Sequence, residues 1–324
     1  MTGFVGFFRV QYKRKIVDNK IRGKILRSLF LVGLLWGDYL NKSLLASLPL
    51  DGIEECLPVS GGDVNRAFKL VTKNQNYFLL VQPVCVREFY AAEIAGLNDL
   101  KRAKIIAPEV ISTGKLGRGA YLLLSYLEKG EGSQADLGRT VAKMHRTYNP
   151  SGQFGYKYDY VGGSISFSND WRASWAELFV NNRLDILAQK LVEDTYWKIE
   201  DFSTYMQVRQ LILTALSQHD SKPSLLHGDL WAGNFLFTED GQPALIDPAP
   251  LYGDREFDLG ITTVFGGFTE EFYQAYQESY PLKAGYSKRM HFYRLYYLMV
   301  HLDKFGRSYK QAVADEMQAI LQAG

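Results

Sequence analysis

Cysteine is nearly absent from this 324-residue chain: Cys56 and Cys85 stand alone, with no Cys-x-x-Cys pair. That scarcity argues against a disulfide framework or a cysteine zinc site, and it fits a reducing cytoplasm. Long hydrophobic runs are missing as well. The apolar stretch Leu29–Trp36 falls far below the ~20 residues that a membrane-spanning helix needs, and no other stretch comes nearer, so no integral membrane association is expected. Charge of one sign is not in excess either. Lys and Arg number 37 against 35 Asp and Glu, a net charge of +2, and no long basic run is interleaved with aromatics, so no nucleic-acid partner is expected. Neither internal repeats nor low-complexity segments occur. What remains is 47% hydrophobic residues with 14% aromatics, the composition of a globular protein long enough for two lobes.

The first forty residues differ from the rest. Arg9, Lys13, Arg14, Lys15, Lys20, Arg22, Lys24 and Arg27 face a single acid, Asp18, and the apolar Leu29–Trp36 follows. The order resembles a signal peptide, but the apolar run is short and no small-residue cleavage site closes it. Residues 1–50 are expected to form a basic and apolar extension, amphipathic or poorly ordered. A peripheral membrane contact is the alternative.

From 51 to 127 the pattern is mostly that of strands. Ala67–Thr72 and Tyr77–Val81 are separated by the polar turn at 73–76, and Pro83 ends the second. Phe89, Ala92, Ile94, Leu97 and Leu100 predict one helix over 87–100. Two further strands are expected near 109–113 and 120–126. Beyond Ser133 the periodicity turns helical: one helix around Leu137–His145, another from Trp171 to Phe179, a third around Val208–Ala215. Phe272–Tyr280 and Met290–Phe305 read as aromatic-rich helices whose bulk is core. Short strands are expected at Phe235–Phe237 and Ala244–Ile246. The connection between lobes falls near Leu127–Gly130, and clefts at such junctions are where ligands bind. The expected class is α+β, with a small antiparallel-sheet lobe at 51–127 and a larger, mostly helical lobe at 128–324.

The chemistry concentrates in His227-Gly228-Asp229-Leu230-Trp231-Ala232-Gly233-Asn234, followed by Ala244-Leu245-Ile246-Asp247-Pro248. Phosphoryl transfer needs a carboxylate beside the attacking hydroxyl and oxygen ligands for magnesium, which neutralises charge on the phosphate. A catalytic loop of the protein-kinase type places Asp and Asn five apart, with a metal-binding Asp after the next strand. Asp229, Asn234 and Asp247 have that spacing. An Asp-x4-Asn alone would equally be a capped turn; the leading His-Gly and the trailing Asp are what point to function. Gly228 stands where regulated protein kinases carry an arginine, Asp247-Pro248-Ala249 replaces Asp-Phe-Gly, and no Ala-Pro-Glu follows. Control by activation-loop phosphorylation has no visible apparatus.

These motifs, with Ser60-Gly61-Gly62-Asp63-Val64-Asn65, Phe89–Leu97, Asn169–Leu184, Asp247–Leu259 and Phe265–Gly306, resemble the fructosamine kinase (ketosamine-3-kinase) family over roughly residues 57–320. The resemblance implies a two-lobed protein-kinase-like fold, akin to aminoglycoside and choline kinases, using ATP and magnesium to phosphorylate the sugar 3-hydroxyl of a ketosamine. The ketosamine would be a free glycated amine or a glycated protein side chain, and its phosphorylation would let the amine be recovered. By the same resemblance Asp229 would be the base, with Asn234 and Asp247 holding magnesium. Gly61, Gly62 and Asp63 would lie over the ATP phosphates, and Glu93, Ser125, Tyr126 and Leu127 would also line the nucleotide site. Asp258 would brace the catalytic loop or simply charge a helix N-terminus. Trp231 would form a wall for the sugar or else pack in the core, and His227 would be structural rather than a proton shuttle.

One departure stands out. Counted without gaps, the family's ATP-binding lysine falls at position 80, where this chain has Leu80. A buried Glu93 without a cation would cost several kcal/mol. Lys69 and then Arg66 are the nearest candidates to supply one, although a solvated strand lysine is the plainer reading of Lys69. Leu80 also admits a rival, a nucleotide-binding pseudokinase. A kinase for another amino sugar or hydroxylated amine is the other alternative.

Overall fold

A computed structural model describes residues 45–59, 65–83, 85, 87–162 and 165–323. The extension up to residue 44 and the loop holding Gly61, Gly62 and Asp63 lie outside the described residues.

The antiparallel sheet contains β1 (Ile53–Val59), β2 (Arg66–Thr72), β3 (Asn76–Gln82), β4 (Val110–Leu116) and β5 (Gly119–Ser125), in the order β1-β2-β3-β5-β4. The β2–β3 hairpin sets Ala67 opposite Leu80 and Lys69 opposite Phe78. β3 in turn sets Leu80 opposite Leu122 and Phe78 opposite Leu124. Because side chains alternate along a strand, Ala67, Lys69, Phe78, Leu80, Leu122 and Leu124 share one face and Arg66 the other. Helix α1 (Ala91–Arg102) packs on that first face through Tyr90 and Leu97, closing an apolar cluster with Ala67, Leu80, Leu122 and Leu124. The helix predicted over 87–100 begins instead as a 3₁₀ turn at Arg87–Tyr90.

The sheet leads through Ser125, Tyr126 and Leu127 into β6 (Lys129–Gly130), which pairs with β10 (Phe235–Thr238) of the helical body. There α2 (Gln134–His145) is capped by Ser133. The hairpin of β7 (Tyr160–Gly162) and β8 (Ile165–Phe167) precedes α3 (Trp175–Phe179), which Ser174 caps. Trp171 thus lies before the helix rather than in it. A π-helical turn, Val180–Leu184, carries α3 into α4 (Asp185–Glu193), a local widening of the kind that accompanies functional sites. It buries Arg183, whose guanidinium donates to the Ser168 carbonyl at 3.0 Å and to the Asn169 side chain.

α5 (Ile199–Ser217) is followed by the short strands β9 (Ser224–Leu226), β10, β11 (Pro243–Leu245) and β12 (Leu251–Gly253). β12 pairs with β9 and β11 with β10, so both sides of the Asp-x4-Asn loop are anchored. α6 (Glu256–Thr262), α7 (Glu270–Ser279), α8 (Tyr286–Phe305) and α9 (Lys310–Ala323) complete the chain. Their aromatic residues form one core, with Phe257 against Trp175, Phe179, Tyr293, Tyr296 and Tyr297. The buried group His219, Asp254 and Glu256 beside it is closed by its own partners: Arg289 donates to both Glu256 oxygens at 2.7 Å, and His219 lies 3.1 Å from Asp254. Among the described residues no helix is long and apolar enough to cross a membrane.

Candidate active site

The loop between β9 and β10 is held by backbone geometry first. Gly228 adopts φ +80°, and a Cβ there would lie 1.8 Å from the Ala249 carbonyl oxygen. No other residue fits that position without moving the segment after Asp247. The Ala249 N–H donates to the His227 carbonyl at 2.8 Å, and the Ile246 N–H to the Asn234 carbonyl at 3.0 Å, so the two motifs are stitched together.

Asp258, fully buried on α6, accepts from the His227 N–H at 2.6 Å and the Gly228 N–H at 2.9 Å. Its second neighbour is His145 of α2, whose Nε2 is 3.1 Å away and whose Nδ1 meets the Tyr276 hydroxyl at 2.9 Å. The loop entrance is therefore tied to three helices. His227 is buried with both ring nitrogens engaged: Nε2 donates to the Ile246 carbonyl at 2.9 Å, and Nδ1 accepts from the Asp229 N–H at 3.4 Å. Burial lowers its pKa, which keeps the ring neutral and in a structural position.

Within the loop, the Asn234 amide nitrogen donates to the Asp229 carbonyl at 2.8 Å and to its carboxylate at 3.2 Å. That leaves the Asn234 amide oxygen aimed away from Asp229. Asp229 has its pKa raised to about 7, first by desolvation and then by the charge of Asp247, with Lys304 and the Asn234 hydrogen bond opposing. Asp247 sits at φ +53°, a left-handed conformation unusual for a non-glycine residue and of a kind that clusters at functional sites. The residue is exposed, yet the protein around its carboxylate raises its pKa by desolvation. No hydrogen-bond donor among the described residues occupies it.

Glu93 on α1 faces this group. One turn further on, a Cβ at Gly96 would lie 2.8 Å from Pro250 and 2.9 Å from Pro248, so α1 presses against the segment just after Asp247. Desolvation and the charge of Asp247 raise the pKa of Glu93 well above its ordinary value. Leu80 is buried in the apolar cluster and brings no charge there. Lys69 does not take the lysine's place, and it is not a solvated strand lysine either. Its Nζ is 3.0 Å from Glu128 and 4.1 Å from the centre of the Tyr126 ring, and Asn76 donates to the same Glu128 oxygen at 2.7 Å. Arg66 lies on the other face of the sheet. In the connection itself, the Ser125 hydroxyl accepts from the Glu109 N–H at 2.8 Å.

Trp231 is 44% exposed, which removes it from the core, and its ring lies over Gly233. The sequence gives no warning that Tyr160, Tyr296 and Tyr297 lie close enough to Asp229 for its charge to add to the burial that raises the pKa of each. It gives none of Lys304 either. These residues lie on a helix and a hairpin remote in sequence from the loop, and the only signal of the three tyrosines was aromatic periodicity.

The donor set suits magnesium. The Asp247 carboxylate, without a described partner, and the Asn234 amide oxygen, turned from Asp229, are hard oxygen ligands. An antiparallel sheet with one helix over a helical body, and an Asp-x4-Asn loop trailed by a strained Asp, together define a kinase of the protein-kinase-like fold. The profile of the fructosamine kinase family matches residues 41–323. A Staphylococcus aureus protein named as a probable ketoamine kinase is 54% identical over 87% of this chain and 99% of its own. The chloroplastic protein-ribulosamine 3-kinase of Arabidopsis thaliana is 32% identical over 82% of this chain and 83% of its own. Among solved structures, a Haemophilus somnus protein with a provisional fructosamine-3-kinase name superposes with TM-score 0.74 at 29% identity, over 83% of this chain and 92% of its own. An aminoglycoside phosphotransferase in ternary complex with AMP-PNP and hygromycin B shares the fold at TM-score 0.62 and 15% identity, over 88% of this chain and 98% of its own. The chain belongs to the fructosamine kinase family. It is a phosphotransferase with an alcohol group as acceptor.

Proposed function

We propose that the chain transfers the γ-phosphoryl group of ATP to the sugar 3-hydroxyl of a ketosamine, a fructosamine or ribulosamine, in the repair of glycated amines or proteins. The observation that carries this reading is the pair Asp229 and Asn234 on a loop that Asp258 braces, with Asp247 after the next hairpin, in a chain of this family. The acceptor hydroxyl approaches Asp229, which takes its proton as the new oxygen–phosphorus bond forms and the bond to ADP breaks. Magnesium, held by Asn234 and Asp247, would neutralise charge on the phosphates. Trp231 presents a ring to the sugar, and Glu93 and the connection Ser125–Leu127 line the nucleotide side. The same fold holding AMP-PNP in the aminoglycoside phosphotransferase supports ATP as donor, and the names of the relatives support a ketosamine as acceptor. The two isolated cysteines, both free, fit a cytoplasmic setting.

The test is direct. Incubated with ATP, magnesium and a fructosamine or ribulosamine, the chain should yield one equivalent of ADP per phosphorylated sugar, the 3-position identified by phosphorus-coupled NMR. ATP binding without transfer to any ketosamine or amino sugar would favour the pseudokinase reading that Leu80 raises.

A further inference from the structure

The sheet brings no charge to the cleft at position 80, but the helical body brings one from the opposite side. α8 runs along the catalytic loop, with the Tyr297 hydroxyl 3.5 Å from the Gly228 carbonyl oxygen. His301 and Lys304 follow at four and seven residues, the spacing that keeps side chains on one helix face. Seven residues advance about 10.5 Å along the axis, from the root of the loop toward its tip. A second contact fixes that face. The His301 ring packs on Phe265 with centroids 4.1 Å apart, and Gly267, two residues on, abuts Ala232 between Trp231 and Asn234. Lys304 then lies in the last turn before Gly306 ends the helix, exposed and with no close ion pair among the described residues. Its charge nevertheless lowers the pKa of both Asp229 and Asp247.

We propose that Lys304 donates a hydrogen bond to the transferring phosphoryl group, supplying from α8 the positive charge that Leu80 withholds on the sheet side. This rests on the ATP-phosphotransferase reading of the same site. In transfer, the phosphoryl group passes between the carboxylate at the acceptor hydroxyl and the carboxylate on the nucleotide side, at the loop along which α8 carries Tyr297, His301 and Lys304 in register. A lysine is a compact charge on a flexible stem, suited to following a group that moves. The proton of the acceptor hydroxyl goes to Asp229, the new bond joins that oxygen to the γ-phosphorus, and ADP leaves.

The test compares Lys304→Met and Lys304→Arg with the unaltered chain by three measurements: binding of ADP–magnesium alone, binding of ADP–magnesium with aluminium fluoride, and turnover with and without a ketosamine. Lys304→Met should lower kcat about 10- to 100-fold with the KM for ATP within about twofold, and weaken the aluminium fluoride complex by a similar factor, as the loss of one charged hydrogen bond made chiefly in the transition state. ADP affinity should not change, and arginine should restore much of the loss. Unchanged aluminium fluoride binding in Lys304→Met would overturn the proposal, as would a loss confined to the KM of the acceptor. If no ketosamine is phosphorylated by any variant, but Lys304→Met still slows acceptor-free ATP hydrolysis and weakens the fluoride complex, the substrate reading falls and the role of Lys304 stands.

Discussion

On the sheet side of the cleft, β3 places Leu80 in an apolar cluster, Glu93 lacks a cation at that position, and the nearby Lys69 is spent on Glu128 and Tyr126. On the helical side, the polar groups at the entrance of the Asp229 loop have partners, from the two N–H groups on Asp258 to the Asn234 amide on Asp229. The two halves of a kinase site thus need not be equally equipped. The loop that aligns base and metal ligands tolerates little, because a misplaced carboxylate loses the reaction geometry. The nucleotide side holds phosphates by several additive contacts, and loss of one charged contact costs roughly 1.5–3 kcal/mol against the ~8 kcal/mol or more that an enzyme supplies.

The largest effect is expected at Asp229. Asp229→Asn should lower kcat by ~100- to 10,000-fold, the usual worth of a general base, with ATP affinity little changed. Stability should move the other way. The folded pKa of Asp229, about 7, lies above its ordinary 3.8, so the folded state binds the proton more tightly. The stability this contributes is full below about pH 4 and is lost as pH rises through 7. Thermal melts at pH 8 should therefore show Asp229→Asn at least as stable as the unaltered chain. A clearly lower Tm would mean that the carboxylate is needed for folding.

Asp258→Ala should cost about 2–5 kcal/mol, because it orphans two buried N–H groups and His145; denaturant unfolding measures this, and Asp258→Asn should lose less. A stability loss under 1 kcal/mol in Asp258→Ala would show that the loop holds itself. For pH dependence, kcat/KM should fall up to tenfold per unit below about pH 7, as protonation removes the Asp229 base. A profile flat from pH 8 to 5 would contradict that. The smallest effects belong to the sheet. Leu80→Lys should lower the KM for ATP by no more than about tenfold, since Glu93 is there to pair with it, and Lys69→Met should cost no more than about 1 kcal/mol of stability. A tenfold loss of kcat in Lys69→Met would restore Lys69 to the phosphate site and dissolve the contrast.

Much of this was legible in the sequence because its signals are local. Strand alternation and the turn at 73–76 give the β2–β3 hairpin, and the spacing of Asp229, Asn234 and Asp247 gives the loop and its companion. Trp231 could be weighed but not placed, since exposure is a property of the packed chain. The partnership of Asp258 with His145 spans 113 residues, and that of Lys69 with Glu128 spans 59; nothing in either neighbourhood announces them. Tyr160, Tyr296 and Tyr297 were legible only as apolar bulk, and only the packed chain brings the hairpin and α8 near Asp229. Leu80 worked the other way: its departure could be read at once, and its consequence awaited the finding that Lys69 is engaged elsewhere.

The most direct test of the central claim, that the helical side carries the chemistry, is a rapid-quench single turnover with radiolabelled ATP and a ribulosamine or fructosamine, comparing Asp229→Asn and Leu80→Lys with the unaltered chain at saturating ATP. Phosphoryl transfer is expected in the unaltered chain, at a rate ~100-fold or more slower in Asp229→Asn and within about threefold of the unaltered chain in Leu80→Lys. Transfer that is as fast in Asp229→Asn as in the unaltered chain, or that begins only when position 80 is lysine, would contradict it.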